Sequence, residues 1–291
     1  MKSLLHISDL HFSKITANPS QIFSKRWIGN LNLFLFRENQ ICLNLPEIFL
    51  SYIKDLKPDY ILISGDFTST ALKKEYDLAL SFLKKIKDLG IQVYAIPGNH
   101  DAYTKSSYEK KSFYNSFKEI IPFKGEFDFD LETHKVAGFL LKKDLYLVLI
   151  DASCYTSYFQ SNGIFSFEIE QHLESLLESI PETAKIWIAC HYPFFEHENK
   201  RRILIGAKKL KNILEKYSQI EMYFHGHTHR QAICDLRSNQ LPIISDSGSL
   251  TLKNRSTFNH LVFDQNVIEL SRYHHETRYV AVEKQTLIRT P

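Results

Sequence analysis

Five short blocks in this chain place metal-binding and proton-handling residue types at close spacing. They are Asp9-Leu10-His11, Gly65-Asp66, Gly98-Asn99-His100-Asp101, Cys190-His191 and Gly226-His227-Thr228-His229. Carboxylate, amide and imidazole groups offer oxygen and nitrogen donors of borderline hardness, a set that suits manganese, iron or zinc better than calcium. The alternating spacing of Asp9-x-His11 and His227-x-His229 points two side chains the same way if the backbone is extended. One carboxylate shared by two ions would hold them roughly 3.5–4 Å apart, the separation used in two-metal hydrolysis. The glycines at 65, 98 and 226 would let the backbone turn sharply beneath such a pair. A single D-x-H means little, because loop aspartates and hydrogen-bonded histidines are common. Five blocks in order, each after an apolar run, carry a joint signal that none carries alone.

For these blocks to meet, strands must end just before them. Runs rich in Ile, Val, Leu, Tyr or Trp predict buried strands at Ser3–Ser8, Tyr60–Ser64, Gln92–Ile96, Lys185–Cys190 and Glu221–His225. Helical patterns lie at Pro46–Leu56, Leu72–Leu89 and Phe167–Ile180. Alternation of this kind predicts an α/β sheet with right-handed crossovers. In such a sheet the loops at the carboxyl ends of the strands line one crevice, so dispersed blocks can converge. Val136–Asp151 breaks the alternation and reads as a hairpin turning at Lys142-Lys143-Asp144. From 230 onward the chain is strand-rich, with expected strands at Gln231–Leu236, Pro242–Ser245, His260–Glu269 and His274–Val282, which suggests a second sheet packed on the first. With no internal repeat, low-complexity tract or Gly/Ser-rich linker, a single domain over 1–291 is expected.

The order D-x-H, G-D, G-N-H-D, H, G-H-x-H resembles the calcineurin-like metallophosphoesterases, with all five blocks intact between about Leu4 and His229. The resemblance implies an α/β fold of four layers, an αββα sandwich, with the strand-rich tail as its second sheet. It also implies two divalent metal ions, manganese first, with iron or zinc as alternatives. Asp9, His11 and His229 would hold one ion, Asn99, His191 and His227 the other, and Asp66 would bridge them. His100 would face the substrate rather than a metal, stabilising charge or protonating the leaving oxygen, and Asp101 would orient it. The ions would make hydroxide available near neutral pH and neutralise the phosphoryl oxygens. Protein phosphatases of this superfamily read G-D-x-x-D-R and G-N-H-E; Gly65-Asp66-Phe67-Thr68-Ser69-Thr70 and Gly98-Asn99-His100-Asp101 depart from both. The spelling is closer to cyclic-nucleotide phosphodiesterase-like and nucleotide-lipid pyrophosphohydrolase members.

Composition narrows the partners. The chain has 44% hydrophobic and 24% charged residues, the ordinary globular range. A net charge of +3 does not imply a nucleic-acid partner, and no extended basic groove is visible. Cys42, Cys154, Cys190 and Cys234 form no C-x-x-C pair, which suggests reduced thiols in a cytoplasmic protein. No signal peptide is visible, and no apolar run reaches the roughly 20 residues of a membrane span. Ile22–Arg37 holds nine apolar residues, three basic ones and no acid, with Phe23, Phe34, Trp27, Leu31, Leu35 and Ile28 on one arc of a helical wheel. Such a helix either packs on the core or rests on an anionic membrane surface and shelters acyl chains. With Arg26, Trp27 and Phe34 as substrate contacts, the expected reaction is hydrolysis of the UDP-2,3-diacylglucosamine pyrophosphate of lipid A synthesis, releasing UMP at the inner face of the cytoplasmic membrane. A soluble cyclic-nucleotide or related phosphodiesterase is the enzymatic alternative, and a membrane-associated binding protein with structural metals is the alternative from another class. Lys200-Arg201-Arg202 and Arg230 would bind a diphosphate or simply be solvated charges. No obligate protein partner is evident.

Overall fold

Two short parallel triplets of strands decide the architecture. β1 (Lys2–Ile7), β2 (Tyr60–Ile63) and β3 (Gln92–Ala95) pair in parallel in that order. β5 (Leu145–Ile150), β7 (Lys185–Cys190) and β9 (Ile220–His225) do the same in a second sheet. Both triplets are buried on both faces, which is why they read as continuous apolar runs. The computed structural model describes residues 1–14, 42, 44–157, 159–195 and 199–289. The expected amphipathic helix at 22–37, with Arg26, Trp27 and Phe34, therefore lies outside the described residues.

Each sheet has six strands. The first runs β14–β13–β12–β1–β2–β3, where β12 is Thr257–Phe263, β13 is Val267–His275 and β14 is Tyr279–Ile288. The second runs β10–β11–β9–β7–β5–β4, with β4 at Val136–Lys142, β10 at Gln231–Asp235 and β11 at Ile243–Ser247. β4 and β5 form the expected hairpin. A small parallel pair joins β6 (Gly163–Ile164) to β8 (Leu204–Ile205).

The tail departs from expectation in two ways. It does not build the second sheet but divides: β10 and β11 extend the second, while β12 to β14 extend the first by pairing antiparallel to β1. Alternation identifies a strand but not its partner, and β1 had an open edge to fill. The segment His260–Glu269 is also not one strand. It turns between β12 and β13, where the Asp264 carboxylate accepts from the backbone amides of Asn266 and Val267. An aspartate closing its own turn in this way is the signal that apolar patterning overlooked.

Helices close both outer faces and complete the αββα sandwich. α1 (Leu45–Leu56) and α2 (Lys73–Asp88) bury Phe49, Ile53, Phe82 and Ile86 against the first sheet. α5 (Phe167–Ser179) and α6 (Ala207–Lys216) bury Leu173, Leu177, Leu210 and Leu214 against the second. Two short helices, α3 (Lys105–Glu109) and α4 (Ser112–Phe117), follow β3. Strand β7 shows how one sequence serves two cores. Trp187 and Ala189 face the first sheet while Ile186, Ile188 and Cys190 face the helices, the two-residue period of a pleated strand. Among the described residues no helix is long and apolar enough to cross a membrane.

Candidate metal centre

The five blocks sit where β1, β2, β3, β7 and β9 end, so both parallel triplets deliver their carboxyl-end loops to one place. The loops are laced together by backbone bonds. Asp9 N donates to Gly65 O, His11 N to Asp66 O and Phe12 N to Phe67 O, at 3.0, 2.9 and 2.9 Å. This lacing holds an unfavourable backbone. Asp9, His11, Asp66, His227 and His229 all have positive φ, at 54°, 44°, 56°, 67° and 56°. A left-handed conformation costs a non-glycine residue about 1–2 kcal/mol. Such residues concentrate where surrounding structure over-determines a functional geometry. The expectation of an extended backbone at Asp9-x-His11 and His227-x-His229 is thus corrected: paired left-handed turns aim these side chains.

Three overlapping groups of donor atoms result, each with its atoms within 4.8 Å of one another: Asp9, His11 and His229; His11, Asp66 and His100; and Asp66, His191 and His227. Asp9 Oδ1 stands 2.9 Å from His229 Nε2 and 3.6 Å from His11 Nε2. Asp66 Oδ2 stands 3.9 Å from His11 Nε2 and 3.5 Å from His191 Nε2, while Oδ1 accepts the His100 amide at 2.8 Å. Asp66 thus shows one oxygen to both sides of the cluster. Donors around an ion with bonds of about 2.0–2.2 Å lie at separations of this order.

Backbone carbonyls fix which imidazole nitrogen faces the cluster, because a carbonyl can only accept. Ser64 O takes His191 Nδ1–H at 2.7 Å and leaves Nε2 as the donor atom. Arg202 O takes His227 Nε2–H at 3.1 Å and leaves Nδ1. Ser69 O takes His100 Nδ1–H at 2.6 Å and leaves Nε2. Oriented imidazoles of this kind are the usual support of a metal site.

The electrostatics ask for cations. Asp9 and Asp66 are fully buried. Burial would raise the Asp66 carboxyl, but His191, His100 and His11 outweigh it and hold it well below the usual carboxylate range. His229 does the same for Asp9. Burial lowers His191, yet Asp66 and Asp9 outweigh that and hold it up at about 9. A proton there stands where a divalent ion would supply charge. Asn99 Oδ1 is buried and makes no hydrogen bond among the described residues, and His191 Nε2 faces Asp66 Oδ2 only at 3.5 Å. Ionised buried carboxylates together with unsatisfied lone pairs fit a divalent pair.

The remaining sequence-predicted residues divide. His100 lies beside the cluster, edge-on to His11 at 4.8 Å and stacked on Tyr103 at 5.5 Å. Asp101 does not orient it. Its carboxylate accepts from the amides of Phe67, Thr68 and Gly98 and from Thr68 Oγ1, at 3.0–3.1 Å. Asp101 therefore ties the β2 loop to the β3 loop, and the Ser69 carbonyl orients His100. Arg202 braces a cluster histidine, its guanidinium donating to His227 O at 3.0 Å. Arg201 is exposed, and its carbonyl accepts from Ser161 N. Arg230 is exposed beside His229, with its amide on Thr228 Oγ1.

Two supports went unnoticed in the sequence. Carbonyls of Ser64, Ser69 and Arg202 leave no trace in residue type. Asp246, which accepts from Thr228 Oγ1 and Gly248 N, did leave one, as the lone acid in Ser245-Asp246-Ser247-Gly248.

Two substitutions test this geometry. Of glycines 65, 98 and 226 only Gly65 has positive φ, 111°; the others are needed for space. A Cβ on Gly98 would stand 2.2 Å from Asp66 Oδ1. Gly98→Ala should displace that carboxylate and lower the metal content of purified protein; unchanged content would contradict the tight contact. Asp101→Asn puts an NH₂ against amide donors. Leaving one buried donor unsatisfied costs about 1–3 kcal/mol, so thermal unfolding should shift downward, and an unshifted Tm would remove Asp101 as the tie between loops.

Comparison with known proteins bears on this cluster. A family model described as calcineurin-like phosphoesterase matches residues 2–231. Over 178 residues the chain is 28% identical to the "Probable glycerophosphodiester phosphodiesterase GpdQ" of Arcobacter nitrofigilis, covering 60% of this chain and 58% of that protein. The chain thus spans under two thirds of that curated relative's length. Among solved structures, a dimetal phosphatase from Danio rerio aligns with a TM-score of 0.68 at 14% identity, covering 99% of each chain. Purple acid phosphatase PPD1 from yellow lupin (Lupinus luteus) seeds aligns with a TM-score of 0.63 at 12% identity, covering 99% of this chain and 54% of that one. At these identities the two solved structures show likeness of fold.

Proposed function

Because the chain belongs to the calcineurin-like phosphoesterases, a family of metal-dependent hydrolases, we propose that it cleaves a phosphodiester, and that a glycerophosphodiester is its substrate class. The observation that carries this reading is the chain of three overlapping donor groups, linked through His11 and Asp66 and including His100. Asp9, His11 and His229 would hold one divalent ion and Asn99, His191 and His227 the other, with Asp66 between. This mixture of nitrogen and oxygen donors suits manganese, iron or zinc. Bound there, such ions would supply a water of lowered pKa and offset charge on the phosphoryl oxygens. His100 handles the remaining proton. Its Nδ1–H is held by the Ser69 carbonyl, which also stabilises the imidazolium, so Nε2 can deliver a proton to the leaving oxygen.

The diester is favoured over the UDP-diacylglucosamine pyrophosphate because the relative found among curated proteins is named a phosphodiesterase. Manganese-reconstituted protein should therefore hydrolyse bis-p-nitrophenyl phosphate faster than p-nitrophenyl phosphate, and should release glycerol 3-phosphate from glycerophosphocholine. Cleavage of UDP-2,3-diacylglucosamine alone would replace this substrate class with the nucleotide lipid. No hydrolysis of any of the four would overturn the reading.

A further inference from the structure

None of the five blocks lies beyond His229, yet a later part of the chain reaches the metal centre. β11 pairs in parallel with β9, so its carboxyl end lies at the same end of the second sheet as the His227–His229 loop. From there residues 248–256 cross to β12, which pairs with β1 in the first sheet. This connection therefore joins the two sheets on the side where the ligand loops meet.

Its side chains grip the backbone of Asp9. Ser249 Oγ donates to the Asp9 carbonyl at 2.8 Å, and Thr251 Oγ1 donates to the same oxygen at 3.3 Å. Among the described residues no backbone amide donates to that oxygen, so the two hydroxyls satisfy it. All three residues are buried, where an unsatisfied carbonyl is costly. Between the two hydroxyls, Leu250 N donates to Ser8 O at 3.1 Å. The peptide before Asp9 is fixed by its amide on Gly65 O, and the peptide after it by Ser249 and Thr251. Asp9 is thereby held at its φ of 54°, with Oδ1 toward His229 and Oδ2 on the His227 amide. The turn that carries His229 is tied to the same segment, because Thr228 Oγ1 donates to Asp246 Oδ2 and Gly248 N donates to Oδ1. Asn99 and His191, on the other side of the cluster, make no hydrogen bond to residues 246–251.

We propose that Ser249 and Thr251 are positioning residues for the ion held by Asp9, His11 and His229, and that they set the affinity of this position without setting that of the other. Both hydroxyls are spent on the Asp9 carbonyl, so neither is a ligand. Each acts by orienting the peptide that carries the Asp9 carboxylate. Asp9 belongs to one donor group only, which confines the effect to one ion. Groups that orient a metal ligand in this way are worth about 10–100-fold in metal affinity. The proposal rests on the metal-pair reading and assigns part of it to a segment outside the five blocks.

The test is calorimetric titration of metal-stripped protein with manganese, in the wild type and in the double variant Ser249→Ala, Thr251→Val. These changes remove both hydroxyls with little change of volume. The wild type should bind two equivalents. The double variant should keep one ion at unchanged affinity and bind the other about 10–100-fold more weakly. Asp9→Ala, which spares only the ion at Asn99, His191 and His227, identifies the one that is kept. Ser256→Ala is the control for a loosened connection. It removes a bond of 2.6 Å to the Leu250 carbonyl and leaves Asp9 untouched, so Tm should fall while both affinities stay. If the double variant does not fold, Thr251→Val alone removes the longer bond, with a severalfold loss at the same ion. Wild-type affinity at both positions in the folded variant, equal losses at both, or the same loss in Ser256→Ala would overturn the proposal while wild-type binding of two ions still stands. A wild type that binds no manganese would overturn the metal reading, and the proposal with it.

Discussion

Asp66→Ala should leave the protein with neither ion and lower diester turnover by at least about 10²–10³-fold, the scale at which loss of one electrostatic stabiliser registers. The reason lies in how the oxygens are used. Oδ1 is spent on the His100 amide, while Oδ2 faces His11 on one side and His191 on the other. Among the described residues Asp66 is the single carboxylate shared by two of the three donor groups. Asp9 belongs to one group, so Asp9→Ala should empty one position and spare the other. Elemental analysis of the purified variants separates these outcomes. Full occupancy in Asp66→Ala would end its assignment as the bridge.

His100→Ala should show the opposite pattern, with metals retained and turnover reduced by roughly 10²–10⁴-fold, the range for general acid–base groups. Here the structure sharpens the question, because a His100 nitrogen lies within 4.8 Å of donor atoms of His11 and Asp66, near enough to share an ion with them. If His100 were a ligand, the variant would lose metal along with activity. If it were neither ligand nor acid, turnover would stay close to wild type. His100→Gln adds a control, since an amide can still donate to a phosphoryl oxygen but cannot deliver a proton.

Much of this site is legible in the sequence, because donor residues must have the right side chains and β1, β2, β3, β7 and β9 are short runs rich in Ile, Val, Leu, Tyr or Trp, as buried strands are. The five blocks stand out by residue type and spacing, the family resemblance picks Asp9, His11, Asp66, Asn99, His191, His227 and His229 out of them, and the loops bring these residues to one place. What escaped was whatever the backbone does. The left-handed turns at Asp9, His11, Asp66, His227 and His229 are uncommon for any non-glycine residue, even though Asp and His adopt them more readily than most, and are held by tertiary bonds that no local pattern encodes. The carbonyls that set the imidazole tautomers belong to Ser64, Ser69 and Arg202, whose side chains give no hint of that task. Asp101 looked like the partner of its neighbour His100, yet its carboxylate is taken up by backbone amides of two loops. The division of the C-terminal strands between both sheets was equally hidden, since strand periodicity carries no information about which edge is open.

The central claim is that two ions work together here, and stoichiometric reconstitution tests it most directly. Metal-stripped protein is titrated with manganese while bound metal per chain and bis-p-nitrophenyl phosphate hydrolysis are followed together. A shared carboxylate between two half-sites predicts that activity stays low through the first equivalent, rises with the second and then levels off. Full activity at one equivalent, or hydrolysis that persists in the stripped protein, would contradict the account.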